Sequence, residues 1–218
     1  SSAASDVYKR QKRVCYIMYI GKHSQINDYE EIKRFMQHNN FATIVTSNDI
    51  KPIASHIPVM ISEQDDQLVI TGHLAKHNEL VQMIEHNAHV LVIFQGPDAY
   101  ISSTWYETED VPTWDYQSVH VYGEGRLLNH DELVSDLKQL LNHYEGHKDD
   151  GATWNHLSED TKRQIHGIVG FQVKVNDIEA VYKLSQNRSK QEKVNIVKQL
   201  KASGNQKESK IAKEIEKY

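Results

Sequence analysis

Apolar and polar positions follow two periods along this chain, and the switches between them mark its elements. Ile32, Phe35 and Met36 recur at helical spacing. The run Asn27-Asp28-Tyr29-Glu30 opens that helix as a capping box with Asn in place of Ser or Thr, and Asn39-Asn40 closes it. Residues 41–46 (FATIVT) predict a strand, with a turn at 47–49. Residues 53–61 (IASHIPVMI) predict another, in which Pro58 implies an edge, a bulge or the end of regular pairing. After the polar stretch 62–67, residues 68–71 (LVIT) form a buried strand, and Gly72 lets the backbone turn or approach a ligand closely. Leu80, Met83 and Ile84 return to helical spacing behind Asn78, a candidate N-cap.

The second half reads in the same way. Residues 88–94 (AHVLVIF) are almost continuously apolar, as in a central strand. Turn chemistry at 95–98 precedes a strand over 99–105. Residues 113–128 predict a long strand, with Gly123 and Gly125 suggesting a bulge or a barrel bend. Asn129 and Glu132 form a second capping box, opening a helix that turns Leu133, Leu137, Leu140 and Leu141 inward and stops at Gly146. Residues 151–166 form a surface excursion, and 168–184 two strand segments bending at Asn176-Asp177. Ser189 and Glu192 cap a helix carrying Val194, Val197 and Leu200; Ser203-Gly204-Asn205 ends it, and a short helix runs to Tyr218.

The first three β segments are expected to meander antiparallel. Six to eight such strands with few, peripheral helices should curl and close. The expected class is therefore α+β, mainly antiparallel: a small β-barrel with peripheral helices and a C-terminal helical pair. Residues 1–17 lack any period and stand apart as a leader; 18–188 form the barrel domain with a helical insertion near 129–166; 189–218 are the basic helices.

Composition narrows the class. The chain has 218 residues, enough for one sizeable core, and no apolar run approaches a membrane span. Its single cysteine, Cys15, excludes an internal disulfide and suits a reducing cytoplasm. The net charge of −5 argues against general nucleic-acid binding, but it divides into +6 over residues 183–218 and −11 elsewhere. A basic tail on an acidic body suits DNA or a partner surface; it equally suits a solvated helix pair.

Candidate chemistry is sparse. Of thirteen histidines, His73 and His77 are four apart but fall on a strand end and a helix start, with no Cys or carboxylate at zinc spacing, so no metal is expected. No nucleophile elbow, dinucleotide fingerprint or P-loop occurs. Lys76 lies just before a helix N-terminus, where unpaired N–H groups and a lysine suit a phosphate; a surface lysine beside an ordinary cap fits the same spacing. Tyr100, Ser102, Ser103, Thr104, Trp105, Tyr106, Thr113, Trp114 and Tyr116 gather at strand ends, suiting either a planar ligand in a cleft or aromatic plugs of a barrel rim.

The segments ATIVT (42–46), ASHIPV (54–59), GHLAKHN (72–78), IFQGPDAYISSTWY (93–106), VPTWDYQSVHVYG (111–123), IVGF (168–171) and KLSQNRS (183–189) together resemble the PaiB-type family of FMN-binding, negative transcriptional regulators. The resemblance spans residue 18 to the C-terminal helix. It implies an FMN-binding split β-barrel, a homodimer with flavin at the subunit interface, and a regulatory role, with DNA as a partner supported only by the basic helices. By the same resemblance Lys76 holds the flavin phosphate, Ser55 and His56 lie near the phosphate or the isoalloxazine edge, and Thr71, Gly72 and His73 supply the neighbouring strand end. Ser102 and Trp105 line the cleft, as do Lys183, Ser185, Gln186 and Asn187 reaching in from the second protomer. The related oxidases place an arginine on the strand matching ASHIP; this chain has Ser55-His56 there. An FMN-dependent oxidoreductase of unknown substrate is the alternative. Haem binding ranks last, since no histidine follows His166.

Overall fold

The computed structural model describes residues 18–47, 51–86 and 88–218. The expected leader and most of the expected 47–49 turn lie outside them. In chain order the described elements are α1 (Tyr29–His38), β1 (Phe41–Ser47), β2 (Pro52–Pro58), β3 (Met60–Gln64), β4 (Gln67–Ala75), α2 (Glu79–His86), β5 (His89–Ile101), β6 (Thr113–Leu127), α3 (His130–Glu145), α4 (Glu159–Lys162), β7 (Ile168–Lys183), α5 (Lys190–Ala202) and α6 (Gln206–Ile215). No helix among the described residues is long and apolar enough to cross a membrane.

The seven strands form one sheet in the order β2-β1-β5-β6-β7-β4-β3. β1 pairs antiparallel with β2 and β5, and β4 with β3 and β7. β2 and β3 are the two edges of the sheet, yet Val59 alone separates them in sequence. A flat sheet cannot satisfy both conditions, so the sheet curls and brings its two unpaired edges close at Val59. Gly72 of β4 records the approach: a Cβ there would stand 3.1 Å from the Phe171 ring and 3.3 Å from the Pro58 carbonyl oxygen. The expected class, α+β and mainly antiparallel with peripheral helices, is what the chain adopts, and its expected barrel takes the form of a curled seven-strand half-barrel.

Several local expectations need correction. β1 and β2 form a hairpin, but β3 pairs with β4 and not with β2, so the first three strands do not meander. Pro58 ends β2 at the edge, where its missing donor costs no ladder bond. β4 runs through Gly72 to Ala75, so this glycine serves close packing and the turn comes later. β5 and β7 are each continuous, without the expected breaks at 95–98 and 176–177. α1 is capped by Asp28, whose Oδ1 accepts from the Glu31 N–H at 3.0 Å, one residue beyond the expected Asn27. The capping boxes at Asn129–Glu132 and Ser189–Glu192 form as expected.

The chain divides into two compact units whose boundaries fall within α1, β5, β6 and β7. Among the described residues the first comprises Met36–Ile93 and Val121–Ile178. Its core takes alternate positions of the strands, such as Ile44, Ile70, Val92, Phe171 and Val173, with Leu80 and Ile84 of α2. A second cluster, Leu133, Leu137 and Ile165, lies beneath α3. The second unit comprises the described part of Lys12–Phe35 with Phe94–His120 and Glu179–Tyr218. Tyr182 and Leu184 at the end of β7 are buried there, as are Ile196, Leu200, Ile211 and Ile215 of the C-terminal helices.

Candidate functional site

The twelve residues singled out from the sequence fall six in each unit, and each group has its own geometry. In the first unit, Ser55 and His56 sit on the edge strand β2, opposite Ile44 and Thr43 of β1. Neighbouring strand positions face opposite sides, so Ser55 shares the side of buried Ile44 while His56 is exposed. Ser55 Oγ accepts a 3.0 Å hydrogen bond from Asn78 Nδ2. Asn78 Oδ1 in turn accepts from the Leu80 N–H at 3.0 Å, which makes Asn78 the cap of α2. One amide side chain therefore fixes the helix start against the sheet edge. Lys76 stands two residues earlier. Its N–H donates to the Gly167 carbonyl at 2.9 Å, and its exposed ammonium makes no ion pair among the described residues.

Thr71 and His73 face the other side of β4 from Gly72, toward α3. Thr71 Oγ1 donates to Asp136 Oδ1, a buried bond linking strand to helix. His73 Nδ1 and Asp136 Oδ2 are buried without a partner among the described residues. Burial pushes the Asp136 carboxyl up, opposed by the Thr71 bond and by His73; burial pushes the His73 imidazole down, opposed by Asp136. Ser55, Asn78 and the Lys76 turn thus gather at one junction, while Thr71 and His73 lie under α3 in a different polar cluster. None of the six lines the 440 Å³ groove on this unit, whose walls include Gln67, Glu124, Arg126, Gln172 and Lys174.

In the second unit, Ser102 caps the short 3₁₀ turn Ser103–Trp105, its Oγ accepting from the Thr104 N–H at 3.3 Å. Trp105 is half-buried, and its carbonyl accepts from Asn195 of α5 at 3.3 Å. The KLSQNRS segment leaves β7 as a tight turn. Lys183 Nζ donates to Thr113 Oγ1 and, at 2.9 Å, to the Trp114 carbonyl. Ser185 Oγ donates to Asp115 Oδ2 at 2.7 Å. Gln186 folds back, accepting from the Leu184 N–H at 2.8 Å and donating to the Tyr182 carbonyl. Asn187 is exposed. Ser185 and Gln186 therefore use their polar atoms inside the turn, whereas Asn187 offers its amide outward.

Sequence reasoning missed the residues that hold this turn. Arg188 stacks on Tyr106, guanidinium to ring centroid 3.8 Å, and its Nη1 lies 2.8 Å from Asp110 Oδ2. Asp115 is fully buried, and burial raises its carboxyl to about 6 against the opposing Ser185 bond, Lys183 and Arg188. The available signal was register: Asp115 occupies the same face of β6 as buried Val119 and Val121.

An FMN phosphate needs cationic and hydrogen-bonding groups at an accessible rim. The uncompensated Lys76 ammonium, in a turn whose end is pinned by Asn78 to Ser55, meets that requirement.

Residues 18–177 match the family model described as "Putative FMN-binding domain". The chain is 45% identical over 200 residues to the Bacillus subtilis protein named protease synthase and sporulation protein PAI 2, covering 91% of this chain and 97% of that one. Among solved structures, it resembles the FAD and heme binding protein from Mycobacterium smegmatis with a TM-score of 0.55, at 15% identity and 73% coverage of each chain. It resembles the flavocytochrome Anf3 from Azotobacter vinelandii with a TM-score of 0.56, at 12% identity, over 75% of this chain and 72% of that one.

Proposed function

This chain belongs to the PaiB-type family of FMN-binding domains, and from that membership we propose that it is a flavin-binding regulator in which FMN sits at a homodimer interface. The observation that carries the reading is the family match over 18–177, which contains the whole junction of Ser55, Asn78 and Lys76. FMN supplies hydride and electron chemistry when bound. In the proposed site Lys76 neutralises phosphate charge and Ser55, bonded to Asn78 of the same turn, stands beside it on β2, while His56 is exposed on the opposite side of that strand. In this proposal Ser102 and Trp105 also line the cleft, and the second protomer of the dimer brings Lys183 and Asn187 to it as a second wall, with its Ser185 and Gln186 shaping their turn. The name of the Bacillus relative connects it with protease synthesis and sporulation, which suits a role in controlling expression more than one in metabolism.

A dimer is supported by one feature of the first unit. Thr43 and Val45 of β1 lie beside Ile93 and Leu91 of β5, all half-exposed, and Phe41 keeps 67% of its surface in solvent. That apolar strip suits a second copy of the chain.

FMN titration followed by flavin fluorescence tests the cofactor. Saturable binding is expected, weakened about tenfold or more in Lys76→Ala, since a charge-assisted phosphate contact is worth about 1.5–3 kcal/mol. A colourless protein that leaves FMN fluorescence unchanged at high micromolar concentration would overturn the reading.

A further inference from the structure

Ser185 occupies an unusual backbone conformation. Its φ is +54°, in the left-handed region that a Cβ disfavours, and it is buried. The other described non-glycine residues with positive φ, Asp65 and Asp66, lie in the exposed β3–β4 turn, where aspartate tolerates that region. Ser185 has no such freedom, so something outside the turn must hold it. The holder is a carboxylate on a neighbouring strand. Asp115 of β6 has no solvent exposure; its Oδ2 accepts the Ser185 hydroxyl at 2.7 Å, and the Ser185 backbone N–H donates to the same carboxylate.

We propose that Asp115 is a positioning residue for the second wall of the flavin cleft: it clamps Ser185 in the left-handed conformation and so sets where Lys183 and Asn187 are presented. The proposal rests on the flavin reading for its ligand, but not for the clamp itself. Three observations support it beyond the clamp. The turn closes on Ser185, whose carbonyl accepts the Arg188 N–H at 3.0 Å. Arg188 then fixes the exit through Tyr106 and Asp110. Asp115 Oδ1 is buried with no partner among the described residues, so the burial of this carboxylate is only partly offset by its bonds to Ser185. A buried acid placed solely for packing would be replaced by an apolar side chain without loss; one placed to hold a strained neighbour would not.

Glycine adopts positive φ without strain, and this separates the clamp from a packing role. Four chains would be compared with wild type: Asp115→Ala, Asp115→Ala with Ser185→Gly, Ser185→Ala, and Ser185→Gly. Each is read by amide hydrogen exchange over residues 184–188 and by FMN fluorescence titration. In Asp115→Ala, exchange should rise and FMN affinity fall by about tenfold each. Adding Ser185→Gly should restore both to within about threefold of wild type, because glycine no longer needs the clamp. A double variant as impaired as Asp115→Ala, or Asp115→Ala with wild-type exchange, would overturn the proposal. If Asp115→Ala does not fold, the single Ser185 variants decide: alanine should raise exchange and glycine should not, and equal exchange in the two would overturn it. A wild-type chain that ignores FMN would remove the flavin reading, while the exchange results would still decide the clamp.

Discussion

At the scale of single residues, the unusual features are buried carboxylates with one oxygen satisfied. Asp115 titrates near 6 in the folded chain against an ordinary 3.8, mainly through burial. Between those values the native state holds a proton that the unfolded state has released. The contribution of Asp115 to stability is therefore fully present below about 4 and lost as pH rises through about 6, a difference of about 3 kcal/mol. Urea unfolding of wild type and Asp115→Asn at pH 4 and pH 7 checks this: relative to the variant, wild type should lose about that much on going to pH 7. The opposite slope would mean the anion is the stabilised form. Glu132 runs the other way, held down to about 2 first by the Arg126 hydrogen bonds and then by the Asn129 N–H. Its contribution is present above the ordinary carboxylate value and fades as pH falls through about 2, and exposure keeps it small. At Asp136, Thr71→Val would strip the one bond that Oδ1 accepts and leave a buried carboxyl with no partner. A loss of about 1–3 kcal/mol is expected in thermal unfolding; an unchanged midpoint would mean that another group takes over the contact.

At the scale of elements, close approach between strands sets the tightest constraints. A Cβ on Gly123 of β6 would stand 2.3 Å from the Lys174 carbonyl oxygen of β7. That atom is backbone and cannot rotate away, so Gly123→Ala should cost about 3 kcal/mol or more, read as a lowered urea midpoint. A Cβ on Gly167 would meet nothing within 4 Å among the described residues, and the same substitution there should be nearly neutral. These two glycines look alike in the sequence, which shows where legibility ended. Helix starts were legible, because a cap such as Asn129 with Glu132 is complete within four residues. Strand continuity was not: Gly72 read as a turn or a ligand approach and Gly96 as a turn, but the space beside each is filled from outside its strand, by Phe171 and by Phe35. The pairing of β3 with β4 rather than β2 likewise depends on sheet closure, which no local window contains. The candidate site divides along the same line. Lys76 and the Asn78 cap could be read in place, whereas the conformation of Ser185 depends on an aspartate seventy residues away.

At the scale of the whole molecule, charge bears on partners. The basic tail spends several of its lysines internally: Lys201 on Glu216, Lys217 on Glu214 and Lys207 on Asp98, each within 2.8 Å. These three of the ten cations of residues 183–218 are engaged, which lowers the number free to displace counterions from DNA, so any affinity for duplex should respond less steeply to added salt than ten free cations would give. A steep fall between low and physiological salt would show that the remaining lysines form a phosphate-binding face. The exposed strip on β1 and β5 makes a separate prediction: light scattering should return twice the chain mass, and Val45→Glu with Leu91→Glu should return the single mass while leaving the far-UV spectrum unchanged. The one-residue link between β2 and β3 has a consequence of another kind. A sheet with two open edges offers two templates on which foreign strands can add, the usual route to fibrils. Here Val59, fully buried and with its N–H donated to the Asn40 carbonyl at 2.8 Å, binds one edge to the other, and prolines bound β2 at both ends. The two edges stay unpaired, but a one-residue link holds them side by side, so a foreign strand adding to either would have to find room beside the other, and connectivity hinders such addition independently of surface charge.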